Sequence, residues 1–453
     1  MVMSGQDYLA SLSDGRCIYI DGRRVTDLAA HPVLKQPIAQ AARSFDEHFT
    51  GNATDISPLL FNAPAASDTD GIGDLLASTT LTCCMTLLTA ADRVAEVRPE
   101  GAKAARAFVE RVRRLDLRWT ECITDAKGDR SLSPTKQSDR DAYLRVVERR
   151  PDGLVIRGAK LHVSLAAIGH ELMVIPTKAM KPGEEDYAIA CSVPVNAVGV
   201  SIVVVGDPPA GDLRDFPIAA LKYTPQCFVI FDDVLVPYDR VFLDGEVEHA
   251  ATFAHALGLW LRAKALKGMV RETDMMVGLA QLAAEGNGLA KVSHIREKIS
   301  DMVIHATLVR ATMEASIATG TRQTDGTILP NELYTNAGKY LAAGERGLMV
   351  RHLLDIAGGS ALTVPATADF EQPEIGELLR KYMTGAPTVD GLDRAALFRV
   401  IRDMAVSAHA GQTMMGRLQG GGGLHAQRIV TRGRYDMERA KDLARELVLP
   451  SLR

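Results

Sequence analysis

Apolar positions recur at three- and four-residue spacing over Val33 to His48 and over Ala102 to Cys122, the pattern of helices with one buried face. Between them, Asp74 to Val97 is apolar enough to predict a buried helix. From about Arg140 to Phe242 the period falls to two. Clusters such as Leu154-Val155-Ile156, Leu172-Met173-Val174-Ile175, Gly199 to Val205 and Cys227 to Phe231 are separated by turn signals at Pro151-Asp152-Gly153, Lys181 to Glu184 and Gly206-Asp207-Pro208-Pro209. From about Val247 helical periodicity returns in long runs, broken at Glu285 to Gly288, Gly320 to Pro330, Gly358-Gly359 and Gly420 to Gly423. The expectation is a mainly α chain with an inserted β domain: a helical domain over 1–139, a β domain over 140–246 and a helical bundle over 247–453.

A chain of 453 residues outgrows a single core, which suits that division. With 52 Lys and Arg against 56 Asp and Glu the net charge is −4, so no basic footprint points to nucleic acid or an anionic membrane. Met1 to Asp7 lacks the basic flank and apolar run of a secretory signal, and no uninterrupted apolar stretch reaches the roughly 20 residues that span a bilayer. A cytoplasmic protein is expected. Its six cysteines, at 17, 83, 84, 122, 191 and 227, form no CxxC pair and read as small core residues in a reducing compartment. The 11 histidines show no HExxH spacing, so no metal site is expected. P-loop, Rossmann and GxSxG signatures are absent as well.

Two segments carry candidate chemistry. Thr124-Asp125-Ala126-Lys127-Gly128-Asp129-Arg130-Ser131-Leu132-Ser133-Pro134 places a glycine between charged residues where donors can converge on a phosphate or a ring edge, although a solvated turn has the same look. Gln419-Gly420-Gly421-Gly422-Gly423-Leu424-His425-Ala426-Gln427 interrupts a helix with four glycines, each costing about 1 kcal/mol relative to Ala inside a helix. Such a run serves close backbone approach or a flexible hinge. A helix restarting at His425 would point free N–H groups at the loop.

The first segment with Gln137, followed by Asp141 to Arg149, Asp152-Gly153 and Val155-Ile156-Arg157-Gly158-Ala159-Lys160, resembles the flavin-binding stretch of the 4-hydroxyphenylacetate 3-hydroxylase and 4-hydroxybutyryl-CoA dehydratase family. Tyr8-Leu9, Tyr19 to Val25 and His31-Pro32 resemble that family's N-terminus. Phe231 to Pro237 resembles its closing β-strand, and Ala283 to Gly288 with Ser293 to Ile299 its first bundle helices. The resemblance implies an acyl-CoA dehydrogenase-like fold with an N-terminal helical domain, a central β-barrel and a C-terminal helical bundle, assembled as a homotetramer. It implies FAD between barrel and bundle, contacted by Thr124, Lys127, Gly128, Asp129 and Arg130, by His162 and Ser164, and by Gly420, Gly421, Gly422 and Gln427.

The chain departs from both chemistries of that family. The dehydratase branch holds a [4Fe-4S] cluster on three thiolates and a His, yet His255 to Gly268 contains no cysteine and none follows Cys227. Cys83 and Cys84 are adjacent and diverge by about 100° on a helix. Gly416-Arg417 stands where that branch has an acidic residue. The hydroxylase branch uses an Arg and a Tyr on the second helix and a His before the flavin loop; here Thr79 to Thr89 and Glu121 stand there. Thr79, Thr82, Cys83 and Thr86 become the candidate substrate contacts, with the alternative that they are core. Glu121 and His425 become the candidate proton-moving residues, Glu121 having the alternative of pairing with Arg118 or Arg114 on its own helix. By resemblance the expected function is an FADH2-dependent monooxygenase hydroxylating a small organic, aromatic substrate with O2, fed by a separate flavin reductase. A non-redox flavin isomerase, lyase or dehydratase without the cluster is the alternative, and a non-catalytic flavin- or ligand-binding relative a third.

Overall fold

The computed structural model describes residues 2–49, 72–206, 208–323, 326–386 and 389–451, so Asp207 of the expected turn lies outside the described residues. These fall into two compact units, Met1–Leu257 and Gly258–Arg453.

The first unit opens with α1 (Gly5–Ser11), whose capping box joins Ser4 and Asp7. The hairpin β1 (Ile18–Ile20) and β2 (Arg23–Val25) follows, then α2 (Pro32–His48), α3 (Ile72–Val94) and α4 (Pro99–Leu115). The helix expected over Ala102 to Cys122 is cut short. Asp116 ends it in the left-handed conformation (φ 52°), and its carboxylate takes Arg118 at 2.5 Å. Trp119–Cys122 is instead strand β3, paired in parallel with β7 (Glu171–Val174). Trp119, Thr120 and Cys122 are buried in either period, so spacing could not separate helix from strand.

The strands form two sheets. The larger runs β2-β1-β9-β10-β6-β4, with β5 added on β6; the smaller runs β11-β8-β7-β3. Its members are β4 (Thr124–Asp125), β5 (Arg145–Arg150), β6 (Gly153–Ser164), β9 (Val200–Val205) and β10 (Gln226–Pro237). The smaller sheet adds β8 (Ile189–Pro194) and β11 (Val241–Asp244). Four strands thus arise within residues 1–139, a region whose pattern reads as helical, and no closed barrel is found among the described residues. One core joins the sheets, contributed by Val163, Ile202, Val229 and Phe231 from one and by Cys122, Leu172, Val174 and Val193 from the other, all at most 1% exposed. Helix α3 meets the length and composition of a membrane span, yet most of that window is buried against the chain's own side chains.

The second unit is helical. Helix α5 (Ala250–Gly286) enters it, followed by α6 (Ser293–Ala318), a two-strand ribbon of β12 (Thr321–Arg322) and β13 (Ile328–Leu329), α7 (Glu332–Gly344), α8 (Arg346–Ala357), α9 (Gly391–Ala405), α10 (Ala408–Gln419), α11 (Leu424–Arg434) and α12 (Met437–Ser451). Glu272 of α5 ties three of them together, accepting from Arg346 Nε of α8 at 2.6 Å and Arg417 Nε of α10 at 2.8 Å. Burial alone would raise its pKa, but the charges and hydrogen bonds of Arg417 and Arg346 outweigh that and hold it at about 2.

A carboxylate with a depressed pKa stabilises the fold above its unfolded value of 4.5 and loses that contribution as pH falls toward 2. Acid titration followed by circular dichroism should show a helical loss in that window, and Glu272→Gln should shrink the pH dependence while lowering stability at pH 7.

Candidate functional site

The flavin-type loop is set by a buried ion pair that the sequence reading passed over. Lys160 of β6 and Asp125 of β4 meet at 2.7 Å, their side chains 2% and 3% exposed. Lys160 Nζ also donates to the carbonyls of Ile123 at 2.9 Å and Ile175 at 3.0 Å. Asp125 accepts from Leu144 N at 3.0 Å and from Thr177 Oγ1. Every lone pair and proton of consequence is used, the condition under which a buried pair holds geometry instead of costing it. Both ends of residues 126–143 are thereby fixed.

Within that span Lys127 (φ 73°) and Gly128 (φ 51°) both adopt left-handed backbone. Lys127 N donates to Ala142 O at 2.7 Å. Gln137 braces the turn from inside: its Oε1 accepts from Asp129 N at 2.9 Å and its Nε2 donates to Asp129 O at 2.7 Å. A Cβ on Gly128 would lie 2.4 Å from Gln137 Oε1, so glycine is required there by space as well as by φ. Asp129 turns its carboxylate onto Ser131, accepting from the hydroxyl at 2.7 Å and the amide at 2.9 Å, which lowers its pKa. Burial, and then the neighbouring charge of Arg130, lower the pKa of Lys127. Arg130 itself is exposed and, among the described residues, carries no hydrogen bond or ion pair.

Thr124 lies on β4 opposite Leu161, which puts the loop beside the end of β6. There His162 is exposed at φ 60°, at a β-bulge where the β6–β10 register shifts between Cys227 and Val229. Ser164 donates to Gln226 Oε1 at 3.0 Å.

Glu121 stands on strand β3, not on the helix expected for it, and Arg118 pairs with Asp116. Its Oε1 is shut off from solvent. Helix α3 lies on the same strand: Trp119 N donates to Thr80 Oγ1 at 2.9 Å, and Cys83 Sγ lies 3.7 Å from Trp119 O. Thr79, Thr82, Cys83 and Thr86 are all buried, with Thr82 bonding the carbonyl of Ser78 at 2.8 Å in the manner of a core threonine. Thr86 Oγ1 and Trp119 Nε1 are buried with no hydrogen-bond partner among the described residues. Such atoms ordinarily meet water or a ligand.

The other predicted residues belong to the second unit. Gly421 (φ 71°) and Gly422 (φ 89°) turn the chain between α10 and α11, which begins at Leu424 with Gly423 as its cap. Gln427 is fully buried and reaches back to donate to Gly422 O at 2.6 Å, while its Oε1 has no partner among the described residues. His425 and Gly420 are exposed. Arg262, which grips this turn through Gly421 O, and Lys339, bonded to Arg417 O on α10, went unnoticed because they look like ordinary surface cations on helices.

This arrangement of an open two-sheet core and long helices is the acyl-CoA dehydrogenase-like fold. Butyryl-CoA dehydrogenase from Megasphaera elsdenii superposes with TM-score 0.50 at 14% identity over 95% of this chain and 97% of its own, a likeness of fold alone. Residues 63–243 match the family described as 4-hydroxyphenylacetate 3-hydroxylase N terminal, and residues 250–448 match 4-hydroxyphenylacetate 3-hydroxylase C terminal. The chain belongs to that family. It is 30% identical over 356 residues, 75% of this chain and 72% of the other, to a 4-hydroxybutyryl-CoA dehydratase/vinylacetyl-CoA-Δ-isomerase of Clostridium aminobutyricum. It is 26% identical over 443 residues, 89% of this chain and 88% of the other, to a 4-hydroxyphenylacetate 3-monooxygenase oxygenase component of a Geobacillus strain. An oxygenase component of 4-hydroxyphenylacetate 3-monooxygenase solved with FAD superposes with TM-score 0.83 at 23% identity, covering 99% of each chain.

Removing one partner of the Lys160–Asp125 pair strands the other charge in the core. Lys160→Met should lower unfolding free energy by about 3–5 kcal/mol in urea titrations, and Asp125→Asn by a similar amount.

Proposed function

We propose that the chain is the oxygenase component of a two-component, FADH2-dependent monooxygenase, hydroxylating a small aromatic substrate with O2 and receiving reduced flavin from a separate reductase. The observation that carries this reading over the iron–sulfur chemistry of the dehydratase relatives is the distribution of cysteine. None follows Cys227, and Cys83 and Cys84 are adjacent on α3, where neighbouring side chains diverge by about 100°. A [4Fe-4S] cluster is held by several cysteine thiolates that converge on one site.

The residues present suit a flavin. Lys127, Gly128, Asp129 and Arg130 with Thr124 form a braced loop that offers a free guanidinium, and His162 and Ser164 lie at the end of the strand beside it. Gly420, Gly421, Gly422 and Gln427 give a close-approach turn with an unsatisfied buried amide oxygen. FAD, bound in its reduced form, supplies the electrons and activates O2. The protein's own contribution is to orient the substrate and keep water away. Thr86, with Thr79, Thr82 and Cys83, faces the substrate with hydroxyl and thiol groups from an apolar helix. Glu121 takes or holds a substrate proton, since a half-buried carboxylate with one oxygen kept from solvent suits general base work. His425 is the second candidate for moving protons. Homotetrameric assembly and a cytoplasmic location belong to the same reading.

A second reading, a non-redox flavin isomerase, lyase or dehydratase, draws support from the 30% identity to the clostridial dehydratase. The two separate under 18O2. With photoreduced FAD and a panel of small phenols, the oxygenase reading expects one 18O atom per product molecule. Unlabelled products together with tight binding of oxidised FAD would favour the second. Arg130→Ala should weaken FADH2 binding about tenfold to a hundredfold in equilibrium titrations, the worth of a charge-assisted contact.

A further inference from the structure

A threonine inside a helix settles its hydroxyl on the carbonyl one turn back, and α3 shows the habit twice: Thr80 Oγ1 donates to Leu76 O at 3.0 Å and Thr82 Oγ1 to Ser78 O at 2.8 Å. Thr86 on the same helix does not. Its hydroxyl is fully buried with no hydrogen-bond partner among the described residues. Buried tyrosines of this unit likewise find acceptors, Tyr8 on Ile168 O at 3.0 Å and Tyr187 on Arg140 O at 3.2 Å, whereas the indole Nε1 of Trp119 is buried without one. Each such atom costs stability while it stays unpaired, so its retention needs a reason.

Both atoms belong to one junction. Trp119 N donates to Thr80 Oγ1 at 2.9 Å and Cys83 Sγ lies 3.7 Å from Trp119 O, which lays α3 along the start of β3. Thr86 follows Cys83 by one turn, about 4.5 Å along the helix axis. Phe108 of α4 stands with its ring centroid 5.0 Å from that of Trp119, and Phe242 of β11 with its centroid at 6.5 Å. Cys122 enters the core between the sheets, so the alternation of a strand turns Trp119 and Glu121 to the opposite face, toward the helices. An indole donor, a hydroxyl and a half-buried carboxylate thus share one face with aromatic walls.

The chemistry of the two orphans narrows what would satisfy them. An indole N–H only donates, and a threonine hydroxyl can donate as well, so together they suit one oxygen with two lone pairs. Charge then decides its class. The guanidinium of Arg240 lies over the Phe108 ring at 5.2 Å but is already held by Glu171 at 2.7 Å. A carboxylate placed against Trp119 and Thr86 would therefore be buried without a counter-ion, at a cost that excludes it. A carbonyl needs none, and a phenolic hydroxyl keeps its own proton for Glu121.

We propose that Trp119 Nε1 and Thr86 Oγ1 are a recognition pair for one uncharged oxygen of the substrate, a carbonyl or a phenolic hydroxyl, with Trp119 as a specificity-determining residue. The inference rests on the reading that the face of α3 and β3 receives the substrate. It adds the chemical class of the group bound there and a donor that no sequence motif marks.

The chain has two tryptophans, so Trp260→Phe leaves Trp119 as its one indole, and the emission of that variant reports the site. Titration of the full chain with phenol, acetophenone, toluene and benzoate, with and without FAD, tests the pair. Phenol and acetophenone should shift the emission and bind about tenfold or more tighter than toluene, and benzoate should not bind. Thr86→Val keeps the shape of the side chain. It should weaken phenol about threefold to tenfold, the worth of one neutral hydrogen bond, leave toluene unchanged and raise the urea midpoint of the unliganded chain by removing an orphaned hydroxyl. Thr86→Ser should retain phenol binding, and Trp119→Phe, followed by calorimetry, should lose it as Thr86→Val does. No response to any of the four compounds, equal affinity for phenol and toluene, or a lowered urea midpoint in Thr86→Val with phenol affinity unchanged overturns the proposal, the hydroxyl in the last case serving an internal water. Binding is read without turnover, so a lack of 18O-labelled product refutes the oxygenase reading and leaves the pair standing. Labelled product from phenol at an unaltered KM in Thr86→Val does the reverse.

Discussion

The ammonium of Lys160 and the carboxylate of Asp125, closed off from water and meeting at 2.7 Å, decide where the candidate site of the first unit can form. Desolvating two such charges is tolerable only because the carbonyls of Ile123 and Ile175, the amide of Leu144 and the hydroxyl of Thr177 complete their hydrogen bonding. Those partners sit just beyond the ends of β3 and β7 and at the far end of the loop. One interaction therefore registers β4 against β6, and fixes the entrance and exit of residues 126–143. The brace of Gln137 and the left-handed pair at Lys127 and Gly128 are meaningful only on that frame.

The bundle solves a related problem differently. Glu272 is bonded to two guanidinium groups, whereas Lys339 and Arg262 are bonded to carbonyls alone. The first arrangement closes on itself and serves stability. The second leaves charge over, which burial penalises unless a ligand completes it. The two clusters share helix α5, on which Arg262 and Glu272 lie nearly three turns apart.

Local signals were legible in the sequence and distant ones were not. The Lys127 to Arg130 loop and the tetraglycine turn announce themselves because glycine's backbone freedom is a property of a few adjacent residues. The long helices follow from periodicity in the same way. Trp119–Cys122 did not announce itself as a strand, being too short for its period to differ from the helix before it. Nor could any spacing show that Lys160, Lys339 and Arg262 are removed from solvent, since burial of a charged side chain depends on which elements cover it. Glu121 was singled out for its type, yet only the strand explains why one of its carboxylate oxygens is screened from water.

The parallel pairing of Ile18–Ile20 with Ile202–Val204 sets an order on assembly. Strand β1 finds its hairpin partner β2 at once, but its other edge has no neighbour until about 180 further residues have been made, and contacts of such long separation form slowly. Until then that edge of β1 stays open, the state in which a chain is most exposed to chaperones and to association with its own copies.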